Sequence, residues 1–257
     1  MVSGLSSTIG RPPVTDPAPQ PTKRVRKPRR PHSSDATIKD FLDAAETLFA
    51  KHGYEGTTIR AITDAAGANL GTIHYYWGSK KALFKAVCER RLRPITDERL
   101  RLFDQCVARS VDGVPILREV VEATLMPVLS SYNPRDTGSS VFGELMVRTL
   151  TDPAPEVREV MEQLFDEVSI RCIRLLRQCC PHLDDESFYW RLHGVFGLTQ
   201  YSYSGRSRIV HLSYGRFLGT DLDMGLRELV QFVVSGLSAP MTTPDTATTQ
   251  HRRRPPH

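Results

Sequence analysis

The sequence predicts an all-α protein in two parts, a small N-terminal domain of three helices and a larger C-terminal helical domain. Apolar residues recur at intervals of three and four, the spacing of one helix face, from residue 38 to residue 237. Glycine and proline interrupt this pattern, which marks loops between helices. The length of 257 residues exceeds the usual size of one domain and fits a small domain followed by a larger one.

The first helix is predicted from Asp35 to His52. Ser34 or Asp35 can begin it, and Gly53 ends it after two basic residues, whose charge suits the C-terminal end of the helix dipole. An amphipathic helix of this kind buries one stripe against the rest of the domain. The stripe consists of Ile38, Phe41, Leu42, Ala45, Leu48 and Phe49.

The stretch from Tyr54 to Lys81 is predicted to form two short helices joined by a tight turn. Thr57 or Thr58 can cap the first of them, because a hydroxyl accepts a hydrogen bond from the free N–H groups of the first turn. Gly67 lies where the chain must turn sharply, and glycine takes a positive φ without strain. The three helices are expected to share a core of the first stripe with Ile59, Ile62, Leu70, Ile73 and Trp77.

The second short helix is predicted from Leu70 to Trp77, with Asn69 as its cap. Helix, glycine turn and short helix together form the helix-turn-helix pattern, in which the second helix enters the major groove of DNA. Leu70 can serve either the core or base readout. The polar and aromatic residues of this helix are Thr72, His74, Tyr75 and Tyr76.

Residues 53 to 83 resemble the N-terminal domain of the TetR family of bacterial transcriptional repressors. The matching features are Gly53 followed by an aromatic residue, Thr57-Thr58, Ala65-Ala66-Gly67, Gly71-Thr72-Ile73 and the aromatic run before Ser79-Lys80. The resemblance covers roughly residues 36 to 90 and is specific as a whole. Two positions depart from the family pattern: Leu70 stands where a polar side chain is usual, and Trp77 stands where Phe is more common.

The resemblance implies that the chain binds a double-stranded DNA operator. Thr58 is expected to hold a phosphate at a helix N-terminus, and the start of the second short helix to approach base edges. One of the adjacent tyrosines, Tyr75 or Tyr76, can instead pack inside. The expected DNA contacts are Thr58, Asn69, Leu70, Gly71, Thr72, His74, Tyr75, Tyr76 and Lys80.

Further helices are predicted throughout the rest of the chain. Ser79 is expected to cap a fourth helix, which Pro94 must kink or break because it lacks an N–H. Residues 203 to 220 are too long and too rich in glycine and serine for a tight turn. The other predicted helices run from Val114 to Leu129, from Val141 to Leu150, from Pro155 to Gln178, from Asp184 or Asp185 to about Tyr203, and onward from Asp221 or Asp223.

By the same resemblance, the C-terminal domain is expected to form a homodimer and to bind a small-molecule ligand that the sequence does not identify. The last two helices would make a four-helix bundle with a second copy; alternatively, their apolar stripes close the core of their own subunit. The expected dimer residues are Phe188, Leu192, Val195, Phe196, Leu226, Leu229, Val230 and Val233. The candidate pocket residues, all of which also suit an ordinary core, are Phe142, Met146, Phe165, Trp190 and His193.

The two ends of the chain carry its net charge of +5. Residues 1–34 hold seven Lys or Arg and one Asp, and residues 240–257 hold three Arg and one Asp, which leaves the body at −3. We therefore expect a disordered basic arm at 1–34, a DNA-binding domain at 35–80, a regulatory and dimerisation domain at 81–239, and a disordered tail at 240–257.

The arm contacts DNA, serves as a solubilising tail, or reflects a misplaced start codon. It is rich in proline and basic residues and nearly free of large apolar ones, so it cannot bury enough surface to order alone. Basic side chains of this kind can follow phosphates or enter the minor groove. The candidates are Lys23, Arg24, Arg26, Lys27, Arg29 and Arg30.

Other classes of function are poorly supported. There is no apolar run of about 18 residues and no apolar signal core, and five unevenly spaced cysteines suit a reducing compartment, so we expect a cytoplasmic protein without a membrane partner. No second pair of cysteine or histidine residues stands at zinc-ligand spacing from Cys179, Cys180 and His182. With no nucleophile elbow, phosphate-binding loop or paired catalytic carboxylates, we expect no catalytic residues, no metal and no cofactor.

We interpret the chain as a repressor that a ligand releases from a palindromic operator. One alternative is a DNA-binding activator or nucleoid-associated factor that needs no ligand. The other, from a different class, is a helical sensor that uses the cysteine and histidine residues near positions 179 to 193.

Overall fold

The computed structural model describes residues 34–68, 70–131, 137–202, 207–217, 219 and 221–241, and ten helices lie within them. The helices are α1 (Ser34–Gly56), α2 (Ile59–Ala66), α3 (Leu70–Tyr76), α4 (Lys80–Ala108), α5 (Leu117–Ser131), α6 (Thr137–Thr149), α7 (Pro155–Cys179), α8 (Asp185–Tyr201), α9 (Ser207–Leu212) and α10 (Leu222–Ser238). The all-α prediction is confirmed. The basic residues of the arm, the side chains of Asn69 and Leu70, and most of the tail lie outside this description.

Local signals place α1 to α4 as the sequence predicts. The helical geometry of α1 breaks at Gly53, which has φ 74° and ψ 178°. Thr58 caps α2 by accepting a hydrogen bond from the N–H of Ala61 at 3.1 Å. Gly67 ends α2 in the left-handed region at φ 60°. Ser79 caps α4 in the same way as Thr58 caps α2, so each of these boundaries follows from side chains beside it.

Pro94 does not break α4, which continues for 29 residues. Proline removes one backbone hydrogen bond and crowds the preceding turn. Here α4 packs against α1, α5 and α7, and Leu92 and Ile95 on either side of the proline are buried. The tertiary contacts therefore hold the helix together across the defect.

The segment between α8 and α10 contains structure that the sequence pattern did not indicate. The sequence predicts only that this segment is too long and too rich in glycine and serine for a tight turn, and residues 207–212 within it form α9. The predicted caps of the flanking helices are confirmed, because Asp184 accepts from the N–H of Ser187 and Asp221 accepts from the N–H of Met224, both at 2.8 Å.

Two hydrophobic cores organise the described part of the chain. The first core joins α1, α2 and α3 to the beginning of α4, to α6 and to the beginning of α7. The second core joins the remainder of α4 and α7 to α5, α8 and α10. Phe165 of α7 packs against both. The cores thus cut across the boundary expected at residue 80, since α6 and the start of α7 share a core with the N-terminal helices.

No helix in the described part of the chain combines the length and the apolar character that a membrane span requires.

Candidate nucleic-acid interface and regulatory cavity

Helix α3 presents one face outward and is anchored by the other. Ile73 is 1% exposed and belongs to the first core. Gly71, His74 and Tyr75 are exposed, and Tyr75 is 83% exposed. A short helix with a buried anchor and with polar and aromatic neighbours pointing to solvent has the form of a DNA-reading helix.

The two adjacent tyrosines occupy different environments. The rings of Tyr75 and Tyr76 meet edge to face, with centroids 5.0 Å apart. Tyr76 is half-buried and also lies 5.6 Å from the ring of Trp77, which in turn meets Phe41 edge to face at 5.8 Å. Tyr76 is therefore the tyrosine that packs inward, and Tyr75 is the one that faces outward.

The N-terminus of α2, which precedes α3 in the sequence, exposes two polar side chains. Thr58 is exposed while its hydroxyl oxygen caps the helix. Arg60 is exposed in the same turn, and our sequence reasoning did not single it out. The sequence contained a signal for Arg60, since a basic side chain in the first turn of a helix can reach a phosphate held at the N-terminus of that helix.

Lys80 does not join the exposed surface. Its ammonium group donates to the backbone carbonyl of Tyr54 at 3.1 Å and lies 4.2 Å from the centroid of the Tyr54 ring. Lys81 pairs with Glu159 and Lys85 donates to Gln163, so both are directed at α7. Of the expected contacts, those that the structure gathers on one exposed side of α3 are Gly71, His74 and Tyr75, with Thr72 and Tyr76 half-buried.

A cavity of about 270 Å³ lies between α4, α5, α7 and α8. Its walls are mainly apolar, with Phe103, Phe165 and Phe196 among the lining residues. Of the five candidate pocket residues, only Phe165 lines it. Phe142 and Met146 are buried in the first core, whereas Trp190 and His193 are exposed on α8.

Arg99 places a buried positive charge in the cavity wall. This side chain is 6% exposed, and its Nε and Nη2 donate to the backbone carbonyl of Thr124 at 2.9 and 2.7 Å. The Thr124 hydroxyl lies 3.4 Å from the Cys172 sulfur, and burial raises the pKa of that thiol. Sequence reasoning missed Arg99, because a lone arginine between apolar residues of a helix usually reaches solvent.

The cysteines near the end of α7 each have a separate environment. Cys179 donates to the backbone carbonyl of Pro115 at 3.1 Å, and burial, with smaller effects of Cys180 and Cys106, raises its pKa to about 12. The His182 ring instead contacts the carbonyl of Leu237 at 3.1 Å. In the described residues, no three histidine, cysteine or acidic side chains are grouped as a metal site would need.

Five of the eight expected dimer residues are buried within one subunit, and the other three are half-buried. The five are Phe188, Leu192, Val195, Val230 and Val233. The outer faces of α8 and α10 instead expose Trp190 at 70% and Phe232 at 72%. A Cβ atom added at Gly194 or Gly236 would meet nothing within 4 Å, so packing inside the subunit does not require these glycines.

An outward-facing short helix behind a glycine turn, joined to a helical domain with its own cavity, defines the class of helix-turn-helix regulators. Two family models match the chain. The model described as "Bacterial regulatory proteins, tetR family" matches residues 41–87, and the model described as "Tetracyclin repressor-like, C-terminal domain" matches residues 122–236. The chain belongs to the TetR family.

Individual relatives agree with this assignment. The chain is 30% identical over 94 residues to the HTH-type transcriptional repressor KstR2 of Rhodococcus jostii, which covers 37% of this chain and 44% of that protein. It is 29% identical over 145 residues to the HTH-type transcriptional repressor ComR of Escherichia coli, which covers 56% and 63%. Both matches span less than two thirds of the relative's length.

A solved structure has the same fold. NalD, a repressor of the MexAB-OprM multidrug efflux pump in Pseudomonas aeruginosa, aligns with a TM-score of 0.56 and 21% identity, over 79% of this chain and 98% of that one. At this level of identity the likeness establishes the fold.

Proposed function

We propose that the protein is a transcriptional repressor that binds a palindromic DNA operator as a homodimer and leaves it when a small molecule occupies the cavity. The observation that carries the proposal is α3, which the first core holds through Ile73 while His74 and Tyr75 face outward. The family and the named relatives are regulators rather than enzymes, and we assign no catalytic role to any residue.

The outward face of α3 would lie in the major groove. Tyr75 and His74 offer hydrogen-bonding groups, and the small residues Gly71 and Thr72 allow close approach to base edges. Thr58 and Arg60 would hold phosphates and fix the register of the helix on the duplex. Residues 1–34 would add a salt-dependent contact through their excess of basic side chains.

The homodimer would form through the outer faces of α8 and α10. Trp190 and Phe232 together present a large exposed apolar area, and a groove between the helices is lined by Gly194 and Gly236. Small residues let the helices of two subunits approach closely, and aromatic residues are enriched at interfaces. The dimer residues that we now propose, Trp190 and Phe232, therefore differ from the eight expected from the sequence and lie outside the buried stripe.

The cavity is placed suitably for control of DNA binding. It adjoins Phe165, which packs against both cores, so a bound molecule would bear on the contact between them. A ligand that prefers the arrangement with misplaced recognition helices would shift the population away from DNA.

We place the DNA-binding domain at 35–80 and the regulatory and dimerisation domain at 81–239, in a cytoplasmic protein.

A mobility-shift assay on the DNA upstream of the protein's own gene, followed by footprinting, tests the proposal. A protected palindrome with half-sites about 34–36 Å apart is expected. Tyr75→Ala should weaken binding by about tenfold, since one good contact to DNA is worth on the order of 1–3 kcal/mol. Tyr214→Ala, which alters an equally exposed tyrosine beyond α9, is the matched control. Equal affinities for the two variants would contradict the proposed interface.

A further inference from the structure

Tyr54 is the point where the N-terminal helices meet the rest of the protein. Its N–H donates to the Asp152 carboxylate at 3.1 Å, and its carbonyl accepts from the Lys80 ammonium at 3.1 Å. Its ring is buried between Phe49 and Phe84, with centroids 6.0 and 5.3 Å away. Side chains from outside α1 thus hold both backbone groups of this residue.

Arg148 of α6 holds the neighbouring end of α1. Its Nε donates to the carbonyl of Ala50 at 2.9 Å and its Nη2 to the carbonyl of Lys51 at 3.2 Å. These carbonyls lie where the helical geometry ends at Gly53, so the guanidinium supplies hydrogen bonds that the helix itself cannot. A Cβ atom on Gly53 would approach Arg148 and Asp152 to 3.4 Å in a strained backbone.

Asp152 connects this helix end to the beginning of α7. While Oδ2 accepts from Tyr54, Oδ1 accepts from the N–H of Ala154 at 3.0 Å, immediately before α7 starts at Pro155. Further along, α7 forms one wall of the cavity through Met161 and Phe165. A single carboxylate therefore couples the end of α1 to a helix that lines the cavity.

A second polar contact fixes α1 nearer its middle. Glu46 has a side chain that is 3% exposed, and it pairs with Arg90 and, at 3.1 Å, with Arg91, both on α4. This contact fixes the position of α1 on α4 but leaves its far end to be set elsewhere. Hydrogen bonds at that far end are directional and can constrain its angle, whereas apolar packing is non-directional.

We propose that Asp152 and Arg148 are positioning residues, which set the angle of the N-terminal helices on the regulatory domain and thereby the separation of the two recognition helices in the dimer. The inference rests on the proposed function. Neither residue lies on the exposed face of α3, so neither is expected to read DNA. Both act through the backbone of residues 50 to 54.

The test compares binding to a full palindromic operator with binding to a duplex that holds one half-site. A half-site engages one recognition helix and does not depend on their separation, whereas the full site requires both at once. Asp152→Asn keeps the shape but leaves one accepting oxygen for two N–H donors. Full-site affinity should fall about tenfold, the order expected for a lost hydrogen bond to a charged group. Half-site affinity should stay within about twofold.

Arg148→Lys provides a second, milder variant that keeps the charge but cannot reach two carbonyls in a fixed fork. It should show the same split between full and half site. Asp97→Asn removes an exposed carboxylate from α4 and should bind both duplexes like the wild type.

An equal fall on both duplexes for Asp152→Asn and Arg148→Lys would show that the residues only stabilise the fold, and unchanged binding to both would show that they do not set the angle. Either result overturns the inference while the proposed function stands. Failure of the wild type to bind either duplex overturns the proposed function and the inference with it.

Discussion

The two cores serve different purposes although they share α4 and α7. The first core anchors α3 through Ile73, and charged side chains connect its helices through Glu46, Asp152 and Arg148. The second core contains the cavity wall and carries the exposed aromatic face of α8 and α10. Polar contacts thus fix the geometry of the first core, whereas the second core adjoins a cavity and an exposed aromatic surface.

The largest expected effect comes from truncating one phenylalanine in each core. Phe84 and Phe103 lie on the same helix and are 1% and 0% exposed. Phe84→Ala or Phe103→Ala should lower the free energy of unfolding by about 3–5 kcal/mol. Because α4 runs through both cores, each variant should unfold in urea in a single transition that fluorescence and circular dichroism report alike. Two separate transitions would mean that the cores are independent.

A smaller effect is expected from the buried ion pairs of the first core. Glu46→Gln should lower the free energy of unfolding by about 2–3 kcal/mol, because it removes the carboxylate that pairs with Arg91 and one of the two that pair with Arg90. The control is Glu98→Gln, whose exposed pair with Arg101 should contribute little to stability because solvent screens it. Urea denaturation measures both. Similar losses would show that the first core gains nothing from burying its ion pairs.

The smallest effect concerns Tyr54 at alkaline pH. Burial raises the pKa of this phenol to about 12, with added effects of Glu156, Glu55 and Asp152. The folded state therefore keeps its proton longer than the unfolded state, and stability present below pH 10 is lost as the pH rises towards 12. When the pH is one unit above the ordinary pKa of tyrosine, the loss in the free energy of unfolding is roughly 1 kcal/mol.

Thermal unfolding across this pH range, compared between the wild type and Tyr54→Phe, isolates the contribution. The variant should lose less stability than the wild type above pH 10, and Tyr214→Phe, at an exposed position, should behave like the wild type. Parallel curves for all three proteins would contradict the buried state of the Tyr54 phenol.

The sequence predicted best what depends on neighbouring residues. The caps at Thr58 and Ser79 and the turn at Gly67 use contacts within three residues, so the helices around them could be placed before any tertiary structure was known. The sequence could not show that Tyr75 is exposed and that Tyr76 packs inward, because both residues follow Ile73 within one helical turn. Only the three-dimensional structure distinguishes them.

Predictions that depend on which element lies opposite were less complete. Periodicity identified Phe188 and Val230 as one apolar side of their helices, but it could not distinguish the core of the same subunit from a partner's surface. Phe232 and Trp190 lie on another side of these helices and do not follow the spacing of the apolar stripe. Arg99 stayed unnoticed since the carbonyl that it binds belongs to α5, 25 residues away in sequence.

The shared first core also limits how this protein can be recombined with its relatives. A chimera that joined residues 35–80 to a foreign regulatory domain would separate the end of α1 from the side chains of Arg148 and Asp152 that hold it. Such a chimera should retain the fold of α2 and α3 but hold them at an arbitrary angle to the regulatory domain. Transplanting operator preference would therefore require residues 137–160 to travel with the N-terminal helices.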